Sequence, residues 1–302
     1  MCRSCCFFQF NAAHVKMINY QNQIAVVVVT YQSEQTLEEC LQRICSAKDV
    51  GEIAVVDNGS SDATQTILGR LKQHEKRIHL LCNRHNCGFA RACNQGAAMT
   101  KSTWLAFVNP DLMLENDTLL RLREHALQLD PVLLGVEQVN EVGIADPAVR
   151  RSDPCFREML KAPLQRSALT LAVDPLREVQ DVPALSGALI FVSRSFFNAL
   201  EGWDEGYRLH AEDLDLCRRA RLLGGRVAVV NTLQVVHIRG VSSRSRPWFV
   251  EWSKHRGLWR YFCKFEREQT LPLTRVMVWC AIWAHALIKS IYLLYRRCLR
   301  LR

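Results

Sequence analysis

The run Ile24-Ala25-Val26-Val27-Val28-Val29-Thr30 constrains this chain more than any other segment. It is almost entirely β-branched and has no polar alternation. That pattern fits a strand buried on both faces, as in the centre of a parallel sheet. Three more strand-like runs follow, at 53–56, Ile78–Cys82 and Trp104–Val108. Segments with helical spacing lie between them, the first marked by Leu37, Leu41 and Ile44. The order β-α-β-α-β-α-β calls for right-handed crossovers and a doubly wound α/β sheet. The pattern then predicts a helix at 118–128, strands at 132–136 and 188–192, a helix at 212–223 and a last strand at 226–230. Residues 140–180 hold four prolines and little period, and read as a variable loop region.

In open α/β sheets, ligands bind just past the carboxyl ends of the strands. Here the fourth run ends in Asn109-Pro110-Asp111, and apolar residues resume at once with Leu112 and Met113. A carboxylate at that place suits a divalent cation holding a diphosphate, since hard cations take oxygen ligands and share them with substrate phosphates. An Asx-Pro turn closing a strand explains the same residues. Asp57 ends the second run and begins Asp57-Asn58-Gly59-Ser60, a turn sequence whose carboxylate could also accept the N3–H of uracil or thymine. Asn83, Asn86, Gly88, Phe89 and Asn94 form a polar loop entering a helix, where free N–H groups suit phosphate. Glu212-Asp213-x-Asp215 opens a helix after the aromatic-rich loop 202–207. Acidic residues in a first turn offset the helix dipole. Neighbouring carboxylates also raise one another's proton affinity, which suits a general base. His237 follows the last strand run; a lone His is usually structural, yet neutral imidazole is a good metal ligand.

In sequence, VVVVTYQSEQTLEECL, VVDNGSSDAT, NCGFARACNQG, FVNPD, SGALIFVSR, GWDEGYRLHAEDLDLCRRARLLGG and VVHIRG succeed one another from Ile24 towards Lys264. Together they resemble family 2 glycosyltransferases of the GT-A (nucleotide-diphospho-sugar transferase) fold, most of all a bacterial rhamnosyltransferase-like subgroup. The resemblance implies a doubly wound mixed sheet. It also implies an inverting hexosyl transfer, at best guess of L-rhamnose from dTDP-rhamnose, to a lipid-linked or oligosaccharide acceptor in cell-surface glycan synthesis. A UDP-hexose donor is the alternative within the fold. Asp57 would bind the donor base. Thr30, Tyr31, Asn83, Gly88, Phe89, Asn94 and Asn109 would line the donor pocket, and Gly187 would leave room for the acceptor. Asp111 matches the last residue of the family's DxD motif and His237 a ligand completing a Mg²⁺ or Mn²⁺ site. Asn109 stands where the motif has its first Asp, which weakens the expected metal affinity. Asp213 matches the catalytic base, with Glu212 beside it.

The formal charge of +9 is uneven. From Arg239 to Arg302 there are 14 Lys and Arg against three Glu, a net of +11, so the rest of the chain is slightly acidic. A basic third of this kind could bind nucleic acid through phosphates. Five tryptophans (Trp248, Trp252, Trp259, Trp279, Trp283) and the apolar stretch 276–295 favour a membrane surface instead. With Lys289 interrupting the stretch and Arg296, Arg297, Arg300 and Arg302 beyond it, an interfacial anchor is expected rather than a span. The expected organisation is an arm at 1–22, a catalytic domain at 23–240 and a helical, membrane-associated extension at 241–302. The protein would work in the cytoplasm, peripheral to the inner face of the cytoplasmic membrane, with no nucleic-acid partner. Thirteen irregularly spaced cysteines fit a reducing compartment.

Overall fold

The computed structural model describes residues 23–161, 169–238 and 247–300, and the side chains of 296–300 are not among the described ones. The expected arm at 1–22 therefore lies outside the described residues. The chain begins with β1 (Ile24–Thr30), α1 (Leu37–Ser46), β2 (Val50–Asp57), α2 (Thr64–His74), β3 (Ile78–Cys82), α3 (Phe89–Ala98) and β4 (Trp104–Val108). A short β5 (Leu112–Met113), α4 (Thr118–Leu129) and β6 (Val132–Val139) follow. Next come β7 (Arg150–Arg151), α5 (Phe156–Lys161), β8 (Val179–Asp181), β9 (Ala184–Leu185), β10 (Leu189–Ser193) and α6 (Arg194–Ala199). The last elements are α7 (Glu212–Leu222), β11 (Arg226–His237), α8 (Pro247–Phe265) and α9 (Pro272–Arg300).

The main sheet runs β3-β2-β1-β4-β10-β6-β11-β5, with β8 on β11. Strands β3, β2, β1 and β4 pair in parallel. Antiparallel β10 then joins this half to a mixed half in which β6 and β11 are parallel. The period-2 geometry of β1 splits its side chains between two cores. Val27 and Val29 face α3, α7 and α8, whereas Val26 and Val28 face α1, α2 and α4. Each such fully buried aliphatic side chain stabilises the fold by about 1.5–3 kcal/mol. The four-strand parallel half is thus the doubly wound part that the alternating pattern predicts.

Three expectations need correction. The last strand does not stop at 230. An irregularity between Val230 and Gln234 bends it, and it resumes beside β6 to end at His237. The polar residues Asn231 and Thr232 interrupt the apolar run there, which hides the continuation in the sequence. Likewise β6 runs to Val139, because the buried polar Glu137 and Gln138 find partners in Arg150 and His237. Finally, the 140–180 region is not all loop: β7 pairs with β9 in a small second sheet.

Helix α8 is built into the core, with Tyr261 and Phe262 fully buried. Helix α9 buries only a narrow stripe spaced four apart, Val278, Ile282 and Ala286. Its stretch Pro272–Tyr295 is long and apolar enough to cross a membrane, and only 17% of its most apolar 18-residue window is buried.

Candidate active site

The strand register sets the expected donor residues along one sheet edge. Thr30 lies opposite Asp57 in the β1–β2 ladder, and Asn58 N–H donates to the Thr30 carbonyl at 2.8 Å. Tyr31 follows directly. On the other side of β1, Asn109 N–H donates to the Ala188 carbonyl at 2.8 Å, which brings Gly187 beside the end of β4. The Thr30 hydroxyl is buried and has no hydrogen-bond partner among the described residues.

Asp57 is fully buried. Its carboxylate accepts Ser60 N–H at 3.1 Å, the Ser60 hydroxyl, and Gln65 Nε2 at 2.8 Å. Three of about four acceptor positions are used by the turn, leaving one for a ligand N–H. The polar loop is an amide network. Asn83 Nδ2 donates to Gln95 at 2.9 Å and to Asn58 at 3.2 Å, and Asn58 Nδ2 donates to the Gly88 carbonyl at 3.1 Å. This network fixes Gly88, whose φ of +96° is a backbone state that favours glycine. Phe89, the first residue of α3, donates its N–H to the Arg208 carbonyl at 3.2 Å, and its ring packs edge-on against Trp203. Asn94 acts as a clamp: its amide pairs with both the N–H and the carbonyl of Trp203 at 2.9 Å and with Glu205. It holds the wall of the pocket through Trp203.

Asp111 and His237 lie 126 positions apart in sequence and meet because β5 pairs with β11, setting Leu112 against His237. Asp111 Oδ1 is 3.3 Å from His237 Nε2. That oxygen is buried and makes no hydrogen bond among the described residues. Gln138 Oε1 faces His237 Nδ1 at 3.0 Å. An amide oxygen only accepts, so Nδ1 carries the proton, and Nε2 is the ring nitrogen that faces Asp111. Two electron-pair donors facing each other in a buried place fit a divalent cation. No group of three or more His, Cys, Asp and Glu side chains placed to hold a metal ion occurs among the described residues. A bound cation would thus draw its remaining ligands from phosphate oxygens and water.

The first turn of α7 carries the acidic trio. Asp215 is structural: it accepts from Tyr207 and Arg219 and lies 2.7 Å from Lys264. Asp213 faces Gly187, whose N–H donates to Oδ2 at 3.1 Å, and Leu214 N–H donates to Oδ1 at 2.8 Å. Arg151 donates to the same Oδ2 at 2.5 Å and also to the Leu185 carbonyl. Burial alone would raise the Asp213 carboxyl. The Arg151 charge, its hydrogen bond and the two N–H groups outweigh this and hold it below its ordinary value. Glu212 goes the other way, pushed up to about 8 by burial and then by the Asp213 charge. Its Oε2 has no hydrogen-bond partner among the described residues. Adjacent carboxylates with proton affinities pushed apart are what acid–base chemistry uses. Beside them, burial and then Lys254 push His210 down to about 4, and its Nε2 is likewise unpartnered. A neutral imidazole there can exchange one hydrogen bond with a ligand hydroxyl.

Sequence reasoning missed Arg151, Gln138 and His210. Arg151 comes from the region that reads as loop, and nothing local marks it. The alternation break at Glu137-Gln138 in an apolar strand is the one signal that could have pointed to Gln138.

Comparison with known proteins adds to this geometry. The family model described as glycosyl transferase family 2 matches residues 25–179. The N-acetylglucosaminyl-diphospho-decaprenol L-rhamnosyltransferase of Mycobacterium tuberculosis is 27% identical over 244 residues, covering 74% of this chain and 78% of that protein. Rhamnosyltransferase WbbL of Escherichia coli is 22% identical over 233 residues, covering 74% of this chain and 86% of its own. Among solved structures, that of GalNAc-T7 with UDP, GalNAc and Mn²⁺ aligns with a TM-score of 0.60 at 16% identity. The alignment covers 85% of this chain and 54% of that one, so the chain spans about half the length of that protein.

Proposed function

Because the chain belongs to glycosyl transferase family 2, we propose that this glycosyltransferase is an inverting enzyme moving L-rhamnose from a dTDP-linked donor to a lipid-linked acceptor. The observation that carries the inverting reading is the Glu212–Asp213 pair, held against Gly187 by Arg151 at the sheet edge that also bears Thr30, Asp57 and Asp111. The donor's base lies by Asp57 and its diphosphate by Gly88 and the start of α3, where helix N–H groups favour phosphate. Asp111 and His237 would hold a Mg²⁺ or Mn²⁺ ion, which would supply positive charge to the diphosphate. Asp213 stays ionised through neutral pH because of Arg151 and accepts the acceptor hydroxyl's proton. The freed oxygen forms its bond to the anomeric carbon on the face opposite the bond to the diphosphate, which breaks. Glu212, with its raised proton affinity, is the alternative base.

The names of the two rhamnosyltransferase relatives support the choice of sugar, and the diphospho-decaprenol relative supports a lipid-linked acceptor. The basic, apolar extension from 241 supports action at the inner membrane face. There Trp279, Ile288, Ile291 and Tyr295 stand exposed on α9. We take 23–240 as the catalytic domain and 241–302 as the extension that completes its acceptor side. The decisive experiment incubates the purified protein with dTDP-rhamnose, UDP-hexoses and GDP-mannose, with Mn²⁺ and a polyprenyl-diphosphate glycoside. Preferred use of dTDP-rhamnose with inversion at the anomeric carbon is the expected result. Preference for another nucleotide sugar overturns the rhamnose reading, and retention overturns the mechanism.

A further inference from the structure

Resting on the lipid-acceptor reading, we propose that Arg208 and Arg256 form a subsite for the diphosphate of the acceptor. Arg208 and Arg256 both line one notch where the loop before α7 meets α8. Both side chains are exposed, and neither has an acidic partner among the described residues. Their neighbours differ: Arg260 and Lys264 each pair with Asp204 at 2.7 Å, and Lys254 pairs with Glu251. Unpaired guanidinium groups facing one small concavity are suited to phosphate, which they bind in a bidentate, charge-assisted way.

What adjoins the notch specifies the rest of the ligand. Phe249 and Trp252 line it and are 39% and 57% exposed. Trp252 packs at a tilt of 48° against Trp283 of α9 with ring centroids 4.6 Å apart, and the aromatic path continues to the exposed Trp279. An anion site that opens onto an uncovered apolar path complements an amphiphile whose diphosphate is followed by hydrocarbon. On the other side of the notch, Gly257 lies against His210 and Ala211. A Cβ there would stand 2.7 Å from the His210 carbonyl. Glu212 and Asp213 come next in the chain, which sets the turn that carries them beside the notch.

Arg208 also lies close to Gly88 of the donor loop, with its Cγ 3.5 Å from a Cβ built there. The test must therefore separate the acceptor's diphosphate from the donor's. Full-length protein in detergent micelles is titrated calorimetrically with farnesyl diphosphate, farnesol and dTDP. Farnesyl diphosphate should bind and farnesol should not. Arg256→Ala and Arg208→Ala should each weaken farnesyl diphosphate binding at least tenfold, and Arg256→Ala, which lies away from the donor loop, should leave dTDP affinity unchanged. Arg256→Lys should fall between, and thermal melts should show all variants folded. Unaltered binding in both alanine variants overturns the proposal, as does displacement of farnesyl diphosphate by dTDP. If wild type uses no rhamnosyl donor while the binding pattern holds, the functional reading falls and the subsite stands. If wild type transfers to the lipid acceptor and the variants do so with unchanged KM, the subsite falls and the function stands.

Discussion

The two halves of the sheet are built on different principles. In the parallel half, β3-β2-β1-β4, each strand is joined to the next by one helix, and the expected donor residues sit where strands end. In the mixed half, the chemistry is assembled from pieces far apart in the chain. Arg151 reaches Asp213 across 62 positions, and Gln138 reaches His237 across 99. The first half positions ligands by backbone geometry, using strand ends and a helix start. The second tunes side chains by burial and charge. Changes in the parallel half should therefore alter donor affinity and leave the chemical step largely intact, whereas changes in the mixed half should alter turnover and its pH dependence.

Asp213→Asn tests this contrast most severely. It keeps the shape of the side chain and removes its basicity, so turnover should fall by about 10³-fold or more with nucleotide-sugar affinity unchanged. Near-normal turnover here, with Glu212→Gln inactive, would move the base to Glu212. Next in size is the cation pair. Asp111→Ala or His237→Ala should raise the Mn²⁺ concentration needed for half-maximal rate by about 10–100-fold, as loss of a metal ligand or its orienting partner does. Full activity in chelator would refute a metal role at this edge. Arg151→Met should lower kcat about 10-fold and lift the acid limb of the pH–rate profile, because the Asp213 carboxyl loses the charge that holds it down. An unmoved acid limb would mean that Arg151 only braces the loop.

Glu212 gives a stability counterpart. Its folded-state value lies above the free carboxyl's, so the native state holds the proton more tightly. Its contribution is complete below about 4.5 and is lost as pH rises through about 8. Glu212→Gln stays neutral throughout, and should exceed wild type in Tm at pH 9 by about 2 °C or more. A wild-type Tm that does not decline between pH 6 and 9 would contradict this. In the parallel half, Asp57→Asn should weaken donor binding only about 3–10-fold, since most of its carboxylate serves the Ser60 turn. A large loss of kcat from that change would break the contrast between the halves.

That contrast also explains what could be seen in advance. Ile24–Thr30 and Trp104–Val108 are strands with the bounds the runs suggest, because a strand covered on both faces must be apolar throughout, and the edge strand Ile78–Cys82 keeps its bounds as well. Asp57 and Asp111 were visible as polar stops at the ends of such runs. The pairing of Asp111 with His237 was visible only through family resemblance, since no local rule links residues across the β5–β11 ladder. Arg151, Gln138 and the continuation of β11 past Val230 were not visible. Gln138 and Arg151 are polar residues whose partners are distant in sequence, and the β11 continuation opens with the polar Asn231-Thr232, so each breaks the apolar periodicity on which the reading depends. The interior place of α8 was equally hidden, because its Trp and Arg content suggests a surface element, yet Tyr261 and Phe262 lie in the core.

His210 and Ala211 have φ of +68° and +69°, two consecutive non-glycine residues in the left-handed region directly before the carboxylates proposed as catalytic. Each such residue costs roughly 1–2 kcal/mol, so this turn does not hold its shape unaided. Gly257 of α8 presses on it from outside, with room for no side chain between them. The turn is therefore a spring held compressed by a helix that sequence alone assigns to an appendage. Cutting the chain before α8 releases it and disarms the enzyme for a mechanical reason unrelated to membranes. A truncation meant to ask whether the tail serves as an anchor has to begin after Leu271, where the brace is left in place.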